Sequence, residues 1–166
     1  FAMTDYKTGG YVVSASSDNF IGNGFNAWKA FNKVRGNEGW HGGTSDGGLV
    51  HFTADAGGSI YNTNVGGSLG GNSGEWLKLE LPEKLTLSYI HLKARATNQA
   101  PRDFKIMGSD DDVNWDILKS FISVTTSTTG ENHAVGATKG YKYLAILVTR
   151  TEQAVVGDVV IGEWEL

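Results

Sequence analysis

The side chains that most often do chemistry are present in this chain but are not assembled in it. The four histidines, His41, His51, His91 and His133, fall singly, with no G-x-S-x-G elbow or H-E-x-x-H pair around them. Cysteine is absent, which removes disulfides, thiolate zinc sites and thiol nucleophiles. No two carboxylates can be nominated as the facing pair that glycoside cleavage needs. The run Asp110-Asp111-Asp112 lacks the spacing of an EF-hand loop and reads as a hairpin turn. Gly66-Gly67 and Gly70-Gly71 do not stand between a strand and a helix, so no phosphate cradle is expected. Tyr61 is a lone aromatic in a small, polar stretch with no obvious core to join. No enzyme is expected from this inventory.

Charge and composition narrow the partners. Lys and Arg total 14 against 18 Asp and Glu, a formal charge of -4. Nucleic acid is therefore not expected, because binding it needs a basic footprint that displaces counterions from phosphates. No apolar run approaches the ~20 residues that span a bilayer, so no membrane insertion is expected. At 166 residues and 40% hydrophobic, the chain can bury a core as one domain. Glycine is the outlier: 13 of its 23 residues lie between Gly36 and Gly74. That places a long glycine-rich loop, with Gly42 to Gly74 as an excursion holding a short strand at Leu49 to Thr53. Phe1-Ala2-Met3 reads as a cloning remnant outside the fold.

The elements that must position any site are strands. From Glu75, Leu77, Leu79 and Leu81 alternate with Lys78 and Glu80 until Pro82. A second half-buried strand runs from Leu85 to Arg95. Phe104 and Ile106 mark a third, which the Ser109 to Asp112 turn joins to Val113 to Phe121 as a hairpin. Tyr141 to Thr149, apolar almost throughout, predicts a central strand covered on both faces. Val159 to Leu166 is one more. The only helical signal is a turn or two over Asn26 to Asn32. The fold class is all-β, an antiparallel β-sandwich or jelly roll.

The order of these pieces resembles the discoidin or coagulation factor type C domain family, and within it the family 32 carbohydrate-binding modules. Val13-Ser14-Ala15-Ser16-Ser17, Ala30-Phe31-Asn32 and Trp40-His41 are similar to the opening strand, calcium loop and tryptophan of that family. Gly74-Glu75-Trp76-Leu77-Lys78-Leu79-Glu80-Leu81-Pro82 is similar to its middle strand. Phe104-Lys105-Ile106-Met107-Gly108-Ser109-Asp110-Asp111 with Trp115 is similar to its F-x-I-x-x-S-x-D-G-x-x-W hairpin, with Asp112 where glycine is usual. Tyr143-Leu144-Ala145-Ile146 and Ile161-Gly162-Glu163-Trp164-Glu165 resemble its last two strands. The resemblance implies a discoidin-like jelly roll.

It also implies a site. In galactose-binding members a histidine after the tryptophan, an arginine and a nearby asparagine hold the sugar hydroxyls, and these map to His41, Arg95 and Asn98. The chemistry suits a sugar: its hydroxyls meet a guanidinium and an imidazole while its C-H face stacks on a ring. The aromatic platform usual before the last strand is missing from Thr151 to Asp158, which leaves Trp40, whose better reading is a core tryptophan, or Tyr61. A structural calcium is implied too. Glu163 matches the final-strand glutamate; Asn32 replaces the usual aspartate of the first loop, where Asn37 and Glu38 offer further oxygens.

These implications assemble into a non-catalytic, lectin-like module. It would bind galactose-type glycans on a cell, matrix or virion surface, extracellularly, as part of a larger multidomain protein, with a structural calcium. The alternative is a protein-protein or assembly domain that uses the same fold as scaffolding. The glycine-rich segment from Gly36 to Gly74, which surrounds Trp40-His41, is expected to carry specificity.

Overall fold

Alternation builds the sandwich. Along Glu75 to Leu81 every second side chain is buried, and Trp76, Lys78 and Glu80 between them reach the other face. The structure is a computed structural model and describes residues 1–18, 25–34, 38–43, 50–65, 67–152 and 157–166. Its strands, in chain order, are β1 (Lys7–Thr8), β2 (Tyr11–Ala15), β3 (Trp40–Gly42), β4 (Phe52–Asp55), β5 (Gly58–Tyr61), β6 (Ser68–Leu69) and β7 (Asn72–Ser73). There follow β8 (Glu75–Leu85), β9 (Tyr89–Ala94), β10 (Pro101–Ser109), β11 (Trp115–Phe121), β12 (Glu131–Ala134), β13 (Tyr141–Thr151) and β14 (Val159–Glu165). Every pairing among them is antiparallel. Among the described residues the only helical segments are 3₁₀ turns, at Ala27–Phe31, Thr63–Val65 and Thr97–Gln99.

One sheet has the order β1-β2-β8-β13-β10-β11, with β5 added to the end of β13 and β4 to β5. The facing sheet has the order β12-β9-β14-β3. Between them lies one apolar cluster: Leu77, Leu79, Phe104, Ile106, Leu144 and Ile146 from the large sheet meet Trp40, Ile90, Leu92, Ile161 and Trp164 from the small one. β13 is central, as its unbroken apolar run predicts, and its outer face is covered as well. There Ala145 and Leu147 pack with Met107 and Leu69 under the β6–β7 hairpin, flanked by Trp76 and Trp115.

That hairpin corrects the reading of Gly42 to Gly74 as one long loop. β4 and β5 form one hairpin, and β4 shares Phe52 and Thr53 with the expected strand and continues to Asp55; Leu49 lies outside the described residues. β6 and β7 form another. Gly70 permits the second to lie flat, because a Cβ there would stand 2.6 Å from the Trp115 side chain. Two further expectations are corrected. Pro82 does not end its strand, since β8 continues to Leu85. Met3, set outside the fold, is buried in the core and donates its N-H to the Phe31 carbonyl at 2.9 Å.

A buried carboxylate knots this end of the sandwich. Glu75 is wholly buried, which is tolerable only with strong donors around it. Ser16 Oγ donates to it at 2.6 Å, His51 Nδ1 at 2.8 Å, and Ser17 Oγ also donates. His51 is thus structural. The Asp110 to Asp112 run is a turn: the Asp111 carboxylate accepts the backbone N-H groups of Val113 and Asn114 at 3.0 and 2.8 Å, which hold its carboxyl well below the usual range.

Candidate functional site

The site is built by alternation on β3. Trp40 points into the core and His41, one residue on, to the outer face of the four-stranded sheet. His41 lies opposite Val160 of β14, so Asp158, two residues before Val160, is its diagonal neighbour. His41 Nδ1 and Asp158 Oδ2 are 3.1 Å apart. Gln99, at the end of the 3₁₀ turn after β9, donates its Nε2 to the other Asp158 oxygen. Arg95, just past the end of β9, donates Nη1 to His41 Nε2 at 3.0 Å. Phe25 completes the group: its ring stacks on His41 with centroids 4.1 Å apart, and the Arg95 guanidinium carbon lies 4.5 Å from its centre.

Donor rules fix the proton. A guanidinium can only donate, so His41 Nε2 accepts and Nδ1 carries the hydrogen that Asp158 receives. Donation therefore converges on the Asp158 carboxylate, from Gln99 on one side and from Arg95 through His41 on the other, with an aromatic ring against His41 and Arg95. Such an arrangement orients hydrogen bonds; it presents no activated nucleophile.

The structure thus brings together His41 and Arg95 from the expected set. Asn98 lies in the 3₁₀ turn between Arg95 and Gln99, half-buried, and makes no hydrogen bond with a described residue. The two aromatics expected as platforms are corrected. Trp40 is fully buried and donates Nε1 to the Ser17 carbonyl at 2.9 Å. Tyr61 is buried against Phe52, and its hydroxyl accepts the Gly67 N-H at 2.9 Å. Both faces are spent on the interior. The ring at the site is Phe25, which sequence reasoning missed together with Gln99 and Asp158. Nothing in local spacing marks them: His41 and Asp158 are 117 residues apart and meet only through the β3–β14 ladder. Of the described part of the glycine-rich segment, β6 and β7 pack on the outer face of the other sheet, whereas Gly43 adjoins Asp158 and Phe52 of β4 bridges Gly157 beside it.

Of the residues expected to hold calcium, Asn37 lies outside the described set. Glu38 is already compensated: Lys29 Nζ reaches its Oε2 at 2.8 Å and Asn32 Nδ2 donates to the same oxygen at 2.8 Å. Asn32 Oδ1 in turn accepts the Val34 N-H at 2.9 Å. Glu163 is different. It is buried and, among the described residues, forms no ion pair and accepts only the Lys33 N-H at 3.3 Å. Burial pushes its carboxyl up to about 7. Among the described residues no three acidic or histidine side chains converge as a metal site. A cation would therefore meet an uncompensated carboxylate at Glu163, whereas Glu38 and Asn32 are already engaged with each other and with Lys29.

No protein-family model and no curated protein matches the chain. Solved structures do. A family 32 module of a family 89 glycoside hydrolase from Clostridium perfringens, in complex with GalNAc-β-1,3-galactose, superposes with a TM-score of 0.65 at 14% identity over 95% of this chain and 94% of that one. The family 32 module of NanJ from the same organism, in complex with galactose, gives 0.58 at 14% identity over 93% and 90%. A chitosan-binding module of a chitosanase/glucanase from Paenibacillus sp. IK-5, in complex with chitotriose, gives 0.62 at 16% identity over 94% and 95%. The fold is that of family 32 carbohydrate-binding modules. At these identities the likeness fixes the architecture, and the chemistry has to come from the residues on it.

Proposed function

We propose that this chain is a non-catalytic carbohydrate-binding module for galactose-type glycans, acting outside the cell as one part of a larger protein. The observation that carries this reading is the His41–Arg95 contact, 3.0 Å, over the Phe25 ring at one corner of the small sheet. A guanidinium with five N-H donors can hold an imidazole and neighbouring sugar hydroxyls together, and Asn98 stands beside it with both donor and acceptor atoms. Phe25 adds an apolar edge for the C-H face of the ring. That solved modules of the same fold hold galactose, GalNAc-β-1,3-galactose and chitotriose supports the reading. Two of the neighbours named above derive from glycan-degrading enzymes, which supports a role inside a larger protein. A small polar site of this kind binds weakly and gains strength by repetition on a surface.

The test is titration of the protein with galactose and with methyl galactosides, followed by NMR or calorimetry. Wild type is expected to bind, and Arg95→Ala to bind at least about tenfold more weakly, the cost of a charged hydrogen-bond donor. No binding by wild type, or unchanged affinity in the variant, refutes the assignment. A stable oligomer without sugar affinity would favour the assembly reading instead.

Calcium belongs to the same proposal through Glu163. The ion would sit on the carboxylate of β14 and give it a cation, with oxygen atoms as its further ligands.

A further inference from the structure

The end of β14 has an open flank. β3 pairs with β14 only from Val159 to Ile161, so Glu163, Trp164 and Glu165 have β9 on one side and, among the described residues, no strand on the other. Between this flank and the end of β8 the two sheets leave a cavity of about 280 Å³, at the small end of the range for ligand sites. Phe31, Leu79, Leu81 and Trp164 line it, and Met3 and Tyr11 of the N-terminal segment close it. Its rim is apolar as well, with Leu85 and Leu166 exposed by 38% and 36%. The cavity is separate from the sugar corner: His41 faces Val160 near the start of β14, and the cavity begins at Glu163.

One polar group on this cavity is short of donors. Glu163 is 6% exposed, and its one hydrogen bond among the described residues is the Lys33 N-H at 3.3 Å. A carboxylate offers about four acceptor positions. Glu75, the other buried glutamate described above, gathers donors from Ser16, Ser17 and His51. Lys33 Nζ is taken by Glu165 at 2.6 Å. Lys93 stands opposite Glu163 in the ladder but lines the outer face of the sheet, and its Nζ reaches no described carboxylate. Lys93 thus offsets the charge of Glu163 and leaves its lone pairs unfilled. What the site lacks is hydrogen-bond donors, beside an apolar space.

A ligand that fits brings a donor and an apolar body together. An ammonium carries three N-H groups on one atom and makes the stronger, charge-assisted bond to a carboxylate. On the cavity side its charge is also the favourable one, because Glu163 and Glu165 line that space against Lys33 alone. The volume admits one aromatic ring on a short chain, and the rings of Tyr11, Phe31 and Trp164 are there to pack it.

We propose that this cavity binds a small aromatic amine, its ring between the two sheets and its ammonium on the Glu163 carboxylate. The proposal does not depend on the sugar corner. Calcium on Glu163 would take the same oxygens, so ion and amine exclude each other there, and the amine is measured in EDTA.

The experiment titrates the protein with phenethylamine and follows the Met3 methyl and the Trp164 indole N-H by NMR. 3-Phenylpropionate keeps the ring and reverses the charge; ethylamine keeps the charge and lacks the ring. Wild type is expected to bind phenethylamine at least about tenfold tighter than either, with both signals shifting. Glu163→Gln should weaken phenethylamine by about tenfold, with the response to galactose as in wild type and a thermal midpoint in EDTA no lower. Equal binding of phenethylamine and 3-phenylpropionate, or undiminished binding of the amine by Glu163→Gln, overturns the inference. Shifts confined to His41 and Arg95 would put the amine at the sugar corner and overturn it as well. Galactose bound with no phenethylamine bound overturns it while leaving the corner site standing; failure of both takes down both.

Discussion

Asp158 decides what His41 can do. With its carboxylate 3.1 Å from Nδ1, the imidazole keeps its proton on that nitrogen and turns a lone pair to Arg95. Asp158→Ala removes the acceptor, frees the ring to rotate or exchange tautomers, and releases Gln99 as well. Galactose affinity should fall roughly five- to tenfold, and Asp158→Asn, which keeps an acceptor oxygen, should recover part of it. A loss of the thermal midpoint equal in both variants, with no recovery of affinity, would make Asp158 a merely structural residue. His41 and Arg95 were legible in the sequence because they adjoin strand patterns that the resemblance could align. Asp158, Gln99 and Phe25 were not, because their meeting depends on the register of β3 on β14 and on a loop whose conformation no periodicity encodes. Tyr61 misled for a related reason. A solitary aromatic amid glycines has no visible partner until the chain folds Phe52 and His51 against it.

At the level of elements, the strands with clean alternation or an unbroken apolar run were readable, because a pleat with one or two buried faces leaves that mark on composition. β8, β9, β10 and β13 are all of this kind. The glycine-rich hairpins were not readable as strands: their side chains are too small to show a period, and β6–β7 is held by packing on Met107 and Leu147. β12 was missed as well, a short edge strand whose one inward anchor is His133. That ring packs edge-on to Phe104 and Phe121, at 5.9 and 5.4 Å, and its buried Nε2 has no hydrogen-bond partner. Desolvation holds the imidazole below its usual pKa, with Glu131 opposing that shift and His91 adding to it. The unfolded chain therefore takes up a proton first as pH falls through 6.5, and this part of the stability is present above that value and lost below it. Urea midpoints measured at pH 7.5 and 5.5 should fall further in wild type than in His133→Gln. Equal falls would mean that His133 remains hydrated in the fold.

For the molecule as a whole, the question is what joins the first loop to the last strand. Lys33, with φ at +61°, sits in a left-handed conformation that a non-glycine residue adopts only under restraint. The restraints are its N-H on Glu163 and its Nζ on Glu165, across 130 residues of sequence. A calcium ion on Glu163 would strengthen this closure in the folded state alone. A ligand present at about a hundredfold its dissociation constant adds about 2.7 kcal/mol, and in a domain of this size each kcal/mol moves the midpoint by about 2–4 °C. Wild type should therefore melt roughly 5–10 °C higher in millimolar calcium than in EDTA, and magnesium, which demands a tighter octahedron, should do less. Glu163→Gln should abolish the calcium shift yet melt in EDTA no lower than wild type, because it removes a buried carboxylate that has no cation. If wild type melts alike in calcium and EDTA, the loop is closed by Lys33 alone, and the fold needs no metal to join its first loop to its last strand.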